Sequence, residues 1–501
     1  MAKGKDMRKE GDKRFTDSED DPLALDYIFH PRSVAVVGAS PQLGFAGVGT
    51  SFLFAIQSMG FEGGLYPVNP KHQQILGLKC YASLVDIPGP VDHVIFSVPV
   101  KAVLDVVEDC VAKKVRSMQF FTAGFSETGE EEGVELERQV VQRARQAGIR
   151  VIGPNCIGIY CPSGKISFGP GSPRRPGPVA FLSQSGGNAA DLLTTASPRG
   201  IRFSKMVSYG NAADLNESEF LEYLAEDPET KIISTYIEGV RDGRRFFRAI
   251  RRASARKPVI VLKGGRTESG NRAVLSHTAS LAGSLAVFRA LVRQVGAVEV
   301  NNLDELVDML SVFCFFERPP AGRRVGVVGG GGGFSVYAAD QVDEAGLKAP
   351  ALSRRVQDEL RRFTPVAGTS VRNPVDTMAI LEPAKLADTL RIVASDEAVD
   401  VLLAHAGFGW GPGRVASAMG LDVDKLIAAV IDALVRVREA AKKPIAVVMH
   451  APPLREAMEY SLSVQEHCAR QRFPLFPNLS RAAKAIAKMV TWQEMREDLG
   501  R

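Results

Sequence analysis

The feature that most constrains the fold is a strand, turn and helix pattern that occurs three times along the chain. In each copy an apolar strand leads into a turn rich in glycine or serine, and a helical pattern follows. The copies begin SVAVVGAS, PVAFLSQSGG and RVGVVGGGGGFS, and they start about 145 residues apart, a spacing that fits domains of ordinary size. Such turns present unpaired backbone N–H groups and the positive end of a helix dipole, which together bind phosphate or carboxylate. The pattern therefore predicts three domains and chemistry on phosphorylated compounds.

Short runs rich in valine and isoleucine alternate with helical patterns through most of the chain. Strands that are buried on both faces and separated by helices are typical of doubly wound parallel sheets, so we predict an α/β fold. Two stretches rich in proline and glycine, FGPGSPRRPGP and RPPAGR, indicate breaks between the units. We predict a disordered tail at residues 1–23 and three domains at residues 24–160, 161–320 and 321–501.

Composition excludes several classes of protein. Apolar residues make up 45% of the chain, and no apolar run approaches the roughly 18 residues of a membrane span. The charged N-terminus lacks the apolar core of a signal peptide, so we expect a cytoplasmic protein that does not bind membranes. A net charge of +5 without a basic block among aromatic residues argues against nucleic-acid binding. The six cysteines show no CxxC spacing, which argues against a zinc site and against a disulfide framework.

The end of the second strand bears on which nucleotide the first domain binds. An NAD-binding domain carries Asp or Glu there for the ribose hydroxyls, whereas the sequence YPVNPK ends in Lys71. A cation suits a phosphorylated ribose, as in coenzyme A or NADP. An exposed lysine without a ligand explains the residue equally well. The residues alone leave these interpretations open.

The whole run from VAVVGAS through YPVNPK, ILGLKCYASLVDIPGPVD, TAGFSE and RVIGPNCIG resembles the CoA-binding domain of nucleoside-diphosphate-forming acyl-CoA synthetases. This superfamily includes succinyl-CoA synthetase and archaeal ADP-forming acetate-CoA ligase. The resemblance implies a Rossmann-like CoA-binding domain followed by two flavodoxin-like (succinyl-CoA synthetase-like) parallel-sheet domains. It also implies that the CoA site is lined by Gly38, Ser40, Lys71, Ser97, Val98, Pro99, Thr122, Gly124 and Asn155.

His277, in the stretch SHTASLAG, is the predicted nucleophile. It follows the polar segment 264–275, which suits a mobile loop, and a neutral imidazole on such a loop can carry a phosphoryl group between distant sites. A carboxylate beside it would fix the imidazole tautomer and stabilise the charged phospho form, and Glu238 at the strand end YIEG is the best candidate. In succinyl-CoA synthetases the phosphorylated histidine and its supporting glutamate occur in similar surroundings.

Two of the three turns are predicted to hold the phosphate on that histidine, because a helix N-terminus binds an anion without a counter-ion. The residues that form these two turns are Ser183, Gln184, Ser185, Gly186, Gly187, Gly331, Gly332 and Gly333. In the family, two helices face the phosphohistidine from opposite sides. Asn373 and Asp376 in the segment RNPVD are candidate substrate residues, with a cap and bend as the alternative. The remaining histidines have no spacing that suggests a metal site.

The sequence contains no GxxxxGK[ST] loop, and three α/β domains leave no room for an ATP-grasp module. The resemblance therefore implies an alpha-type subunit of an ADP-forming acyl-CoA synthetase, which converts a carboxylic acid, ATP and CoA to acyl-CoA, ADP and phosphate. A separate ATP-grasp beta subunit, in a heterotetramer, would bind ATP/ADP and Mg²⁺ and phosphorylate His277. The alternative is a non-catalytic CoA- or acyl-CoA-binding regulatory protein. An NADP-linked oxidoreductase would explain Lys71 but not the second and third domains.

Overall fold

The computed structural model describes residues 24–41, 47–278, 284–329, 331–377, 382–405, 419–420, 422–451 and 453–500, except for the side chains of residues 275–278. Within these ranges the chain forms three α/β units, each built on its own sheet, as the sequence predicts. The predicted tail at residues 1–23 lies outside the described residues. None of the described helices combines the length and the apolar character that crossing a membrane requires.

The first unit contains a parallel five-stranded sheet. Its strands are β1 (Ser33–Val37), β2 (Gly64–Val68), β5 (His93–Phe96), β6 (Ser117–Phe120) and β7 (Arg150–Ile152), and a hairpin of β3 (Gln74–Ile75) and β4 (Leu78–Lys79) follows β2. Its helices are α1 (Asp26–Phe29), α2 (Val48–Met59), α3 (Val103–Lys113) and α4 (Glu131–Gln146). The strand order is β2-β1-β5-β6-β7. The order reverses beside β1, and open α/β sheets bind ligands in the crevice beyond the carboxyl ends of the strands at such a point.

The second unit contains a six-stranded sheet. Its strands are β8 (Gly158–Tyr160), β9 (Val179–Ser183), β10 (Phe203–Ser208), β11 (Ile232–Ile237), β12 (Val259–Lys263) and β13 (Val298–Val300). Its helices are α5 (Gly186–Ala196), α6 (Glu217–Glu226), α7 (Gly243–Arg256), α8 (Glu268–Thr278), α9 (Leu285–Gln294) and α10 (Leu303–Phe315). The strand order is β13-β12-β11-β9-β10-β8, with β8 antiparallel to β10. Strand β8 lies before residue 161, the predicted start of the second domain, yet it belongs to the second sheet. It pairs with β10, which would otherwise be an unpaired edge strand.

The third unit contains a parallel sheet of four strands. These are β14 (Val325–Val328), β15 (Val401–His405), β16 (Ile445–Val448) and β17 (Leu475–Phe476), in that order. The helices are α11 (Gly332–Glu344), α12 (Arg354–Arg361), α13 (Pro383–Ala394), α14 (Val423–Ala441), α15 (Arg455–Arg470) and α16 (Leu479–Asp498).

Helix α16 joins the third unit to the second, because it packs against α10. Arg481 donates hydrogen bonds to the buried carboxylate of Asp308 at 2.5 and 2.8 Å. The ring of Trp492 meets that of Phe313 edge to face, with centroids 4.9 Å apart. Apolar side chains from both units form one continuous core at this contact.

The expectation of a mobile loop at residues 264–275 was wrong for most of the segment, since α8 begins at Glu268. The hydroxyl of Thr267 accepts the backbone N–H of Gly270 at 3.1 Å, which satisfies one of the free donors at the start of the helix. One turn later Arg272 pairs with Glu268 at 2.8 Å. A polar composition with a favourable start and an ion pair one turn apart is compatible with an exposed helix as well as with a loop.

Candidate active site

Gly38 forms a turn after β1 that packs closely against the loop after β5. Its φ is +91°, and a Cβ atom there would lie 2.2 Å from the backbone oxygen of Ser97. Only glycine fits this position. Two residues later, Ser40 donates its backbone N–H to the hydroxyl of Thr50 in α2 at 3.0 Å. The turn at the end of β1 is therefore held both by the neighbouring strand and by the helix that follows.

The side chain of Asn69 connects Lys71 to this turn. The Asn69 amide donates to the backbone oxygen of Ala39 at 2.7 Å, and its oxygen accepts the backbone N–H of Lys71 at 2.9 Å. Lys71 itself is exposed. Its ammonium group is thus available to an anion at the mouth of the crevice.

The other predicted CoA residues lie on the neighbouring loops at the same edge of the sheet. Thr122 donates its hydroxyl to the backbone oxygen of Val98 at 2.8 Å, and Asn155 donates its backbone N–H to the oxygen of Thr122 at 3.2 Å. Gly124 has a φ of +103° and donates its N–H to Glu127 at 2.6 Å. Ser97, Val98 and Pro99 form the loop after β5, with Pro99 exposed. The structure therefore brings all nine predicted CoA residues to one edge of the sheet, where a ligand crevice is expected.

In the second unit, the side chain of Gln184 joins the start of α5 to the loop that carries Glu238. Its Oε1 accepts the backbone N–H of Gly239 at 3.0 Å and that of Glu238 as well. Ser185 caps α5, since its hydroxyl accepts the N–H of Asn188, and Gly186 and Gly187 begin the helix. The hydroxyl of Ser183 donates to the backbone oxygen of Ser185 at 2.7 Å. The predicted anion-binding helix start and the predicted carboxylate are thus neighbours.

Glu238 follows β11 and is 5% exposed. The hydroxyl of Tyr236 hydrogen-bonds to its carboxylate, and Asn188 in the first turn of α5 hydrogen-bonds to the same hydroxyl. Burial, and then the nearby Glu238 carboxylate, raises the pKa of Tyr236. Tyr236 is therefore a neutral hydrogen-bond donor to Glu238 and a second connection to α5.

Lys263, at the end of β12, is a buried cation beside this loop that the sequence analysis did not single out. Its Nζ donates to the backbone oxygen of Glu238 at 2.6 Å and to that of Gly264 at 2.5 Å. Burial lowers the pKa of Lys263, and the Glu238 charge opposes that shift. A Cβ at Gly264 would lie 2.7 Å from the Tyr236 hydroxyl. The ends of β11 and β12 are therefore packed against each other beside Glu238.

The predicted nucleophile, His277, lies in the last turn of α8, but its side chain is outside the described residues, as are residues 279–283. Helix α8 follows β12, which is the strand next to β11 in the sheet. The chain that carries His277 thus leaves the sheet beside β11, the strand that Glu238 follows.

The third predicted turn is also a helix start. Gly331 is the N-cap of α11, and a Cβ at Gly331, Gly332 or Gly333 would meet no atom within 4 Å. Phe334 lies over the ring of His405, with centroids 4.0 Å apart. Burial, with a smaller effect of His450, lowers the pKa of His405 to about 4, so its ring is neutral at physiological pH. The start of α11 therefore offers backbone N–H groups in open space.

The two candidate substrate residues lie beside β14. The Asn373 side chain accepts the backbone N–H of Val327 at 2.9 Å and donates to the oxygen of Val325 at 2.7 Å. It continues the hydrogen bonding of the sheet past the edge of β14, which accounts for Asn373 without a ligand. Asp376 is 3% exposed, and its backbone pairs with that of Ser370.

A further group that the sequence analysis missed connects the CoA crevice to the Glu238 loop. Asn211 is buried, and its amide nitrogen lies 2.5 Å from the carboxylate of Glu127 and 3.0 Å from that of Glu137. Its backbone oxygen accepts a hydrogen bond from Arg241 at 2.8 Å. Its backbone N–H donates to Pro154 in the crevice loop at 3.0 Å. These contacts join four segments that are distant in sequence, so no local motif reveals them.

Two family models match the chain. The model described as a CoA binding domain matches residues 32–162, which contain the crevice. The model described as a succinyl-CoA ligase like flavodoxin domain matches residues 176–313, which contain α5, Glu238 and α8. The first two units therefore have the fold expected from the sequence.

The alpha subunit of ADP-forming acetate–CoA ligase II from Pyrococcus furiosus is 40% identical to this chain over 383 residues, which are 76% of this chain and 82% of that subunit. The chain belongs to the family of ADP-forming acyl-CoA ligases. Another such ligase, ADP-forming acetate–CoA ligase I from Archaeoglobus fulgidus, is also 40% identical over 381 residues, and the chain spans 54% of its length.

The likeness among these acyl-CoA ligases extends to the third unit. The solved structure of dinucleotide forming acetyl-coenzyme A synthetase 1 from Ca. Korarchaeum cryptofilum, in complex with phosphate and ADP, superposes with a TM-score of 0.80 at 31% identity. The match covers 94% of this chain and 97% of that one. The two family models end at residue 313, whereas this match extends into the third unit. The units therefore follow in the same order in this ligase chain and in its relative.

Proposed function

We propose that this ligase chain joins a carboxylic acid to CoA through a phosphohistidine on His277 and an acyl phosphate. The observation that carries the proposal is the bridge from Gln184 to the Glu238 loop. It sets a helix start, which favours an anion, next to a buried carboxylate, which favours a protonated imidazole. A phosphorylated histidine needs both neighbours.

The first proposed step moves the phosphoryl group from His277 to the acid. A carboxylate oxygen of the acid attacks phosphorus, the P–N bond breaks, and the electron pair returns to the imidazole. Backbone N–H groups at the starts of α5 and α11 balance the charge on the phosphoryl oxygens without moving. Glu238 holds the ring in the tautomer that can be phosphorylated again.

The second proposed step forms the thioester. The CoA sulfur attacks the acyl carbon, the bond from that carbon to the phosphate oxygen breaks, and inorganic phosphate leaves with the electron pair and takes up the thiol proton. The crevice of the first unit would hold CoA, with Lys71 beside a phosphate group of the cofactor. The turn at Gly38 supports this role, because it lets backbone approach a ligand closely.

We further propose that a separate ATP-grasp subunit binds ATP and Mg²⁺ and phosphorylates His277, in a heterotetramer. The relative from Pyrococcus furiosus is named an alpha subunit, which supports a partner of this kind. The acid is left open, because no residue described around the site distinguishes a short acid from a dicarboxylic or an aromatic one.

The reverse half-reaction tests the proposal on this chain alone. The purified chain is incubated with inorganic phosphate and a panel of acyl-CoAs, and its intact mass is measured before and after brief acid treatment. We expect a phosphate adduct that acid removes, together with free CoA. The acyl-CoA that supports the adduct would identify the acid.

His277→Asn should form no adduct, whereas His467→Asn, a change on α15, should form it as the unmodified chain does. An adduct that persists in His277→Asn would contradict the assignment of the nucleophile. CoA binding without any adduct, with or without an ATP-grasp partner, would favour a regulatory CoA-binding protein.

A further inference from the structure

Four donor side chains meet where the end of α1 contacts the second unit. Ser163 Oγ lies 3.2 Å from His30 Nε2, 3.3 Å from Cys161 Sγ and 3.0 Å from Glu229 Oε2. The distance from His30 Nε2 to Cys161 Sγ is 4.0 Å. One ligand atom from each of His30, Cys161 and Glu229 lies within 4.8 Å of the other two. None of these residues has a role in the proposed reaction.

The four atoms form a distorted tetrahedron of a size that suits a metal ion. Zinc binds nitrogen, sulfur and oxygen at about 2.0–2.3 Å in a tetrahedron, so its ligand atoms lie roughly 3.3–3.8 Å from one another. The separations here run from 3.0 Å, for Ser163 and Glu229, up to the 4.8 Å limit. Small side-chain rotations would bring all of them within bonding range of one cation.

We infer that His30, Cys161 and Glu229 bind a zinc-class divalent cation, with Ser163 or a water molecule at the fourth position. Imidazole, thiolate and carboxylate are the three side-chain groups that zinc prefers. A thiolate and a carboxylate together balance a divalent cation, and Asp227 balances the neighbouring Lys205 ammonium, as a partly buried site requires.

The surroundings of His30 match those of a metal-bound histidine. Its second ring nitrogen, Nδ1, lies 3.2 Å from both carboxylate oxygens of Asp26. The hydroxyl of Tyr223 donates to Asp26 at 2.9 Å and so fixes the carboxylate. Histidines that bind metals nearly always donate the other ring N–H to such an acceptor, which fixes the tautomer and turns the free nitrogen toward the metal.

Lys205 sets the orientation of Glu229. Its Nζ is buried and donates to Glu229 Oε2 at 2.6 Å and to Asp227 at 2.9 Å. The same Oε2 faces Ser163, and a carboxylate oxygen has two lone pairs, so Oε2 can accept from Lys205 with one and bind a cation with the other in place of Ser163. Cys161 is fully buried beside this group. The site thus has a buried side at Cys161 and Lys205 and an exposed side at His30 and Glu229.

The competing arrangement contains a proton in place of the metal. Without a cation, the pKa of His30 is raised to about 9, first by its hydrogen bond with Cys161 and further by the charges of Cys161 and Asp26, while burial and Lys205 oppose the shift. A protonated His30 would then pair with its neighbours and leave no ligand for zinc. Measuring bound metal separates the two arrangements.

The test is zinc content of the full chain. The chain is expressed with added zinc, purified without a metal-affinity step, and passed into metal-free buffer before elemental analysis. We expect about one zinc per chain, and loss of that zinc in Cys161→Ser and His30→Gln. Cys468→Ser changes another buried cysteine, in the third unit, and should retain it. Asp26→Asn should weaken zinc affinity by about 10- to 100-fold.

A spectroscopic readout covers the case in which a variant fails to fold. Co²⁺ added to the metal-free wild-type chain should give the visible bands of a tetrahedral ion and a near-ultraviolet band from thiolate to cobalt. If Cys161→Ser or His30→Gln does not fold, Glu229→Gln takes its place in the test. Its side chain is 39% exposed and the change is small. Equal zinc in wild type and Cys161→Ser, or a wild-type chain that holds neither zinc nor Co²⁺, would overturn the site.

Discussion

The side-chain oxygen of Gln184 accepts the backbone N–H of Gly239 at 3.0 Å and also that of Glu238. One amide thus fixes the distance between the start of α5 and the loop of the proposed carboxylate. Gln184 is 5% exposed, so water cannot easily replace its oxygen.

Gln184→Ala is expected to impair phosphohistidine formation. The change leaves two buried N–H donors without an acceptor, at a cost of about 1–3 kcal/mol each. We expect a lower melting temperature and a phosphorylation rate reduced by about tenfold or more. Phosphate incorporation from acyl-CoA and phosphate, followed alongside thermal unfolding, measures both effects.

Gln184→Glu is the matched control, because a carboxylate can accept the same two hydrogen bonds. It should remain nearly as stable as wild type but phosphorylate slowly, since its negative charge lies at a helix start that must receive phosphate. A Glu variant as active as wild type would argue against phosphate at the start of α5.

Lys71→Met is expected to weaken CoA binding without affecting the fold, because Lys71 is exposed. An exposed ion pair contributes up to about 1 kcal/mol, so CoA affinity should fall by roughly fivefold. The decisive comparison is dephospho-CoA, which lacks the ribose phosphate. If Lys71 binds that phosphate, calorimetry will give the variant and wild type equal affinities for dephospho-CoA. Equal losses for both ligands would assign Lys71 elsewhere.

Asn211→Asp is expected to loosen the connection between the CoA crevice and the Glu238 loop. It would place a third carboxylate against Glu127 and Glu137, where one amide now donates to both. We expect weaker CoA binding and a loss of stability of about 1–3 kcal/mol or more. Asn211→Asp combined with Glu137→Gln returns an amide to the group and should recover much of the loss. A double variant no better than the single one would mean that the two side chains do not interact energetically.

Glu217 is expected to make stability depend on pH. Burial, the largest cause, raises the pKa of Glu217 from 4.5 to about 7. The folded state therefore retains a proton that the unfolded state has lost between these values. The stabilising contribution of that proton is complete below about pH 4.5 and is lost as pH rises through about 7.

Glu217→Gln should remove this dependence, because a neutral amide replaces the carboxyl group. Denaturant unfolding at pH 5 and pH 8 measures the change, and we expect the variant to gain a few kcal/mol relative to wild type at the higher pH. An identical difference between the two proteins at both pH values would contradict the raised pKa.

Sequence predicted the parts of this protein that are local in the chain. The turn at Gly38 and the helix starts at Ser185 and Gly331 are each built from a few consecutive residues, and an apolar strand before them marks their place. Glu238 was proposed because it follows such a strand, and its role stays a prediction. The three-unit architecture follows from the same alternation of strands and helices.

Contacts between distant segments were not predictable in this way. Lys263 was missed because a lysine that ends an apolar strand looks exposed, whereas in the fold it is buried beside β11 and Phe288. Asn211 donates hydrogen bonds to carboxylates of the first unit. His30 and Cys161 are 131 residues apart. Spacing arguments about cysteines apply only to ligands that lie near each other in sequence.

The contact between α10 and α16 has a consequence for synthesis of the protein. Asp308 receives Arg481 from 173 residues further along the chain, and the apolar face of α10 is covered by the same helix. While the ribosome translates the third unit, that face of the second has no native partner. That face of the nascent chain therefore gains its native cover only after residues 479–498 have emerged, and a domain that waits in this way exposes apolar surface to other chains.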